Sequence, residues 1–232
     1  SSTDIEQAVR VANQADVAVV VLGEDAHMSG EAASRSNLDL PGRQNELLKA
    51  IHQTGKPIVL VLMNGRPLTI PWAAENVSAI VESWFLGIQS GNAIADVLFG
   101  DVNPIGKLPA SFPRSVGQIP LYYNHKSTGR PFADSNEYSS KFLDVPNTPL
   151  YPFGHGLSYT KFSYSNIRAS SRTIAKNQEI RISVDVENSG KRAGDEVVQL
   201  YIQDEVASVT RPVRELKGFE RVTLKPGEKQ SV

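Results

Sequence analysis

Two unbroken aliphatic runs, ADVAVVVL at residues 15–22 and PIVLVLM at 57–63, constrain the fold of this chain more than any other feature. A strand with one face in water alternates apolar and polar residues. A parallel strand covered by helices on both faces reads as continuous Val, Ile and Leu. Between the runs, GRQNELLKAIHQTG has helical spacing, with Leu47, Leu48 and Ile51 on one face and Gly55 and Pro57 as its stop. Ahead of the first run, the opening segment predicts a short helix with Ile5, Val9, Val11 and Ala12 on its apolar face. A third candidate strand lies within residues 77–85, and GNAIADVLFG predicts a helix closed by Gly100. This β-α-β alternation asks for a mostly parallel sheet with helices on both faces, an α/β sandwich over residues 1–120.

The period then changes. Residues 121–158 carry prolines and aromatics, among them Tyr122, Tyr123, Phe132, Tyr151 and Phe153, without a long periodic element, and read as an ordered wrapping connection. After Thr160 the spacing is two: Ile180, Ile182, Val184 and Val186 alternate with Arg181, Ser183 and Asp185, and Asn188-Ser189-Gly190 makes the turn. GDEVVQLYIQDE and RPVRELKGFERVTL supply partner strands, so residues 159–232 predict an antiparallel, immunoglobulin-like β-sandwich. The first core strand follows the opening helix directly, and the chain stops in the first residues of a strand. Both features are expected of part of a longer polypeptide, with the α/β domain incomplete and the β-sandwich truncated at its C-terminus.

With 24 basic against 25 acidic residues and a formal net charge of −1, no field gathers nucleic acid or an anionic membrane. No apolar run reaches the roughly 20 residues needed to span a bilayer. The absence of cysteine excludes disulfides and thiolate chemistry. His27, His52, His125 and His155 lack metal-ligand spacing, so neither a metal nor a cofactor is expected. Ser29 lacks the G-x-S-x-G elbow of a hydrolase nucleophile, and Trp72 and Trp84 read as packing residues.

The loop LGEDAHMSGEAASRSNLDLPG, which leaves the first aliphatic run, is far longer than the 2 to 6 residues common in α/β connections. Ligands of open parallel sheets bind beyond the carboxyl ends of the strands, where residues 23–41 begin. The loop carries Glu24, Asp25, Glu31 and Asp39, and small residues around Glu31 would let a substrate approach. The bland alternative is a solvated loop whose acids cap helices, Asp39 serving the helix that starts near Pro41.

Four segments together, KPIVLVLMNGRPL, GNAIADVLFGDVNPIGKLPASFPRSVGQIPLYY, LYPFGHGLSYTKF and RPVRELKGFERVTLKPGE, resemble the C-terminal part of glycoside hydrolase family 3, in its three-domain β-glucosidases of the bacterial periplasmic type. The resemblance implies an α/β sandwich followed by a fibronectin type III-like domain. It also implies a retaining, exo-acting β-glucosidase whose nucleophile is an aspartate in a barrel domain that this chain does not contain, so that the chain alone should be inert. The partner is then the barrel-bearing segment, together with a β-glucoside or cello-oligosaccharide substrate; a homodimer is compatible, and the location implied is periplasmic or secreted.

In the family the general acid/base is a glutamate on a loop of the α/β domain, in a Ser-Gly-Glu context that matches Ser29-Gly30-Glu31. The resemblance thus nominates Glu31 as the catalytic residue, and Met28 and Arg35, which flank it in the sequence, are expected to line the leaving-group subsite. Glu24 competes, but its place at the end of the strand suits it to holding the loop. The residues AASR after Glu31 depart from the family pattern and put the leaving-group preference in question. Two alternatives stay open, a β-xylosidase of the same family and a non-catalytic carbohydrate-binding or scaffolding module.

Overall fold

The structure, a computed structural model, describes residues 2–133, 135–175 and 177–232. The chain forms two compact units. The first takes Ser1–Ile94, Ala110–Tyr122 and Phe132–Pro152, and the second takes Ala95–Pro109, Tyr123–Pro131 and Phe153–Val232, so residues 121–158 are shared between them. Among the described residues no helix is long and apolar enough to cross a membrane.

The first unit is built on a parallel sheet in the order β1-β2-β3, with β1 at Ala18–Gly23, β2 at Ile58–Met63 and β3 at Ala79–Glu82. Helices α1 (Ser2–Gln14), α2 (Gln44–His52) and α3 (Pro71–Asn76) alternate with the strands; α4 (Ser90–Phe99) follows β3 in the chain, and only its residues up to Ile94 belong to this unit. Pairing runs Val20 to Leu60 to Ile80 across the sheet. In the central strand, Leu60, Val61 and Leu62 are all fully buried, as a strand covered on both faces requires. The first strand departs from that expectation. Val20 and Leu22 are buried but Val19 and Val21 are about half exposed, because no described element covers that face of β1. A second correction concerns α1: Ala12 is buried, whereas Val11 is exposed. At 100° per residue Val11 points away from the face shared by Ile5, Val9 and Ala12.

Leu48 and Ile51 of α2 are buried as the helical spacing predicted, but the helix has no side-chain cap. The Asp39 carboxylate accepts no N–H of this helix and instead accepts from the hydroxyl of Thr69. Trp72 meets His52 edge-on at 5.4 Å, and Trp84 lies 5.9 Å from the buried ring of Phe112, so both tryptophans pack.

In the second unit, β4 (Phe162–Ala169), β5 (Ile182–Asn188) and β8 (Lys229–Ser231) form one antiparallel sheet, and β6 (Gly194–Ile202) with β7 (Glu215–Leu224) forms another. Val186, Val198, Val222 and Leu224 from both sheets make the core, with Phe162, Val184 and Val232 packed against it. The predicted alternation begins two residues late: Ile180 precedes β5 and is exposed. Asn188, fully buried at the end of β5, donates to the carbonyls of Arg192 (2.8 Å) and Leu224 (2.9 Å) and accepts from the Thr160 hydroxyl (2.7 Å). Its amide is thereby paired on both sides, as burial demands.

Candidate active-site loop

The loop leaves the sheet at a point that tolerates only glycine. Gly23 has φ +142°, and a Cβ there would lie 1.9 Å from the carbonyl oxygen of Met63. The side-chain amide of Gln44 closes on the same residue, donating to its carbonyl at 2.9 Å and accepting from its N–H at 2.8 Å. Helix α2 therefore grips the end of β1 where irregular backbone begins.

The next residue, Glu24, turns inward. Its side chain is fully buried and pairs with Arg35 Nη1 at 2.7 Å and Arg66 Nε at 3.1 Å. The backbone N–H of Gly65 adds a third donor at 3.3 Å. A carboxylate withdrawn from water needs such partners. Arg35 also donates to the carbonyl of Asp39 at 3.0 Å, so both of these nitrogens are engaged within the loop.

Two tight turns follow. Asp25 accepts from the N–H groups of His27 (2.8 Å, side chain) and Met28 (3.1 Å, carbonyl), an Asx-type arrangement that aspartate favours. Ser29 then packs on Gly65, where an added Cβ would sit 2.0 Å from the serine Oγ. Ala33 N–H closes on the carbonyl of Gly30 at 3.2 Å, with Ala32 at φ +58°. Glu31 occupies the first inner position of this turn. Its side chain is exposed, and among the described residues none bonds to it. The return limb is anchored by buried Leu38 and Leu40 and by the bond from Thr69 N–H to the carbonyl of Leu38, 2.8 Å.

Sequence reasoning singled out Glu31, Met28 and Arg35, and missed three residues at the carboxyl ends of β2 and β3. Arg66 donates through Nη2 to the carbonyls of Met28 and Ala33. Asn64, fully buried, donates to the carbonyl of Arg66 at 2.8 Å and to Glu82 Oε2 at 3.2 Å. Burial pushes the Glu82 carboxyl up to about 7, against the opposing pull of its bonds from Trp84 N–H and Asn64. The signals were available: Asn64-Gly65-Arg66 directly follows a buried strand, and Glu82 is a lone acid in the apolar stretch AIVESWF.

Known proteins resemble this chain in sequence and in fold. A periplasmic β-glucosidase of Salmonella typhimurium is 55% identical over 98% of the chain, and a β-xylosidase of Formosa agariphila is 48% identical over all of it. A crystal structure of a β-glucosidase from Listeria innocua in complex with laminaribiose superposes with TM-score 0.94 at 43% identity over the whole chain. The chain spans 30%, 31% and 32% of the lengths of these three. The fibronectin type III-like domain matches residues 196–232, and the glycosyl hydrolase family 3 C-terminal domain matches residues 2–159, more than half of the chain. The chain therefore belongs to glycosyl hydrolase family 3, as an α/β C-terminal domain continued by a fibronectin type III-like domain.

Proposed function

We propose that this chain supplies the general acid/base, Glu31, to a retaining, exo-acting β-glucosidase whose aspartate nucleophile lies in a barrel-bearing segment outside residues 1–232. The observation that carries this reading is the contrast between two carboxylates of one loop. Glu24 is buried and held by two guanidinium groups, while Glu31 stands on an anchored turn with its carboxyl unengaged. Retaining hydrolysis needs two carboxyl groups about 5 to 5.5 Å apart, one ionised and one carrying a proton. The nucleophile attacks the anomeric carbon as the glycosidic C–O bond breaks, and Glu31 gives its proton to the departing oxygen. Glu31, now a carboxylate, takes a proton from the water that cleaves the glycosyl-enzyme.

The substrates are terminal β-D-glucosyl units of cello-oligosaccharides or of aryl and alkyl β-glucosides. Met28 lines the leaving-group side of Glu31. Arg35, occupied with Glu24 and Asp39, shapes that side through the loop backbone. Residues 1–120 serve as the acid/base-bearing α/β domain, 121–158 as the connection and 159–232 as the β-sandwich, in a periplasmic or secreted enzyme. The 48% identical relative named β-xylosidase supports a second reading, in which the same machinery cleaves β-xylosides.

The test is Glu31→Ala in the complete enzyme. Turnover of alkyl β-glucosides should fall by about 10² to 10⁴, while activated aryl β-glucosides, which need little protonation, lose far less. Equal losses on both classes overturn the assignment, and parallel assays on β-xylosides decide between the two sugars.

A further inference from the structure

Arg66 belongs to neither limb of the loop. It follows β2, and its carbonyl is held by Nδ2 of the fully buried Asn64. Its starting point is thus fixed at the end of the most buried strand of the sheet. From there the guanidinium enters the loop, with Nε 3.1 Å from Glu24 Oε1 and Nη2 donating to the carbonyls of Met28 and Ala33, the latter at 2.8 Å. Those two carbonyls bracket Ser29, Gly30, Glu31 and Ala32. Within residues 25–36 the backbone bonds to itself at two places, Met28 to Asp25 and Ala33 to Gly30, so no ladder stiffens the segment. Arg35 differs, because it ties Glu24 to Asp39 and so secures the return limb.

We infer that Arg66 is a positioning residue for Glu31: its guanidinium ties both ends of the 28–33 turn to buried Glu24 and to the end of β2, and thereby sets where the Glu31 carboxyl is presented. The inference rests on the reading of Glu31 as the acid/base. Only a planar fork with several fixed N–H groups meets a carboxylate and two carbonyls together; an ammonium is a point donor on a flexible stem.

The experiment compares Arg66→Lys, Arg66→Met and Glu31→Ala in the complete enzyme. Arg66→Lys keeps a cation opposite Glu24, which protects the fold, but gives up the grip on both carbonyls. Turnover of an alkyl β-glucoside should fall about 10²-fold and that of an activated aryl β-glucoside by no more than about threefold, since misplacement of the proton donor penalises the step that needs it. Amide hydrogen exchange should accelerate in residues 29–33 and stay at the wild-type rate in β2. Arg66→Met should repeat the pattern with a larger loss. Unchanged exchange in residues 29–33 with an unchanged alkyl-to-aryl ratio overturns the inference. So does an equal loss on both substrates with β2 exchange accelerated, which marks a residue of the fold alone. Glu31→Ala separates the two readings: if it fails to distinguish the substrates, the acid/base assignment falls; if it distinguishes them and the Arg66 variants do not, only the role of Arg66 falls.

Discussion

At the scale of single residues, the loop depends on where backbone meets backbone. Gly23 leaves no room for a side chain, since a Cβ at 1.9 Å from the Met63 carbonyl oxygen must displace either β1 or β2. Gly30 has a similar φ of +139° but nothing within 4 Å of an added Cβ. The two alanine substitutions should therefore differ. Gly30→Ala carries backbone strain of about 1 to 3 kcal/mol, whereas Gly23→Ala adds a clash at the sheet itself and should lower the unfolding midpoint further. Thermal or denaturant unfolding of the two variants checks this, and equal midpoints would contradict it. The glycines were visible as letters, but their two environments were not. Each depends on a neighbour 40 residues away or on the absence of one.

At the scale of elements, the carboxyl ends of β1, β2 and β3 carry the polar residues that matter: Glu24, the Asn64-Gly65-Arg66 corner, and Glu82. Glu82 makes this end of the sheet sensitive to pH. Its folded value of about 7 lies above the ordinary 4.5, so the native state holds a proton that the unfolded chain releases between those limits. The contribution is fully present below pH 4.5 and is lost as pH rises through 7, a difference of about 3 kcal/mol by linkage. Wild type should thus lose stability relative to Glu82→Gln as pH rises from about 5 to about 8, because glutamine cannot ionise. Unfolding midpoints of both proteins at the two pH values provide the check, and parallel pH dependences would refute it. Apolar periodicity located the elements well, because burial of Leu48 and Ile51 in α2 and of Ile58, Leu60, Val61 and Leu62 in β2 follows from local spacing. It failed at the open face of β1 and at the start of β5, where a neighbouring layer, and no local rule, decides exposure.

At the scale of the whole molecule, a chain that spans about a third of its relatives' length and carries one proposed catalytic carboxylate should be silent alone. Mixed with a barrel-bearing segment of the same enzyme, it should restore hydrolysis of an aryl β-glucoside; activity in the chain alone, or glucan binding without restored activity, would count against the proposal. Two structural classes and the Ser29-Gly30-Glu31 motif were determined by the sequence, because continuous apolar runs, strand alternation and a short motif are all patterns of neighbours along the chain. The clasp around that turn was decided by the tertiary structure. Arg66 meets the carbonyls of Met28 and Ala33 across 38 and 33 residues, and a guanidinium's partners depend on which strand ends the folded sheet brings side by side.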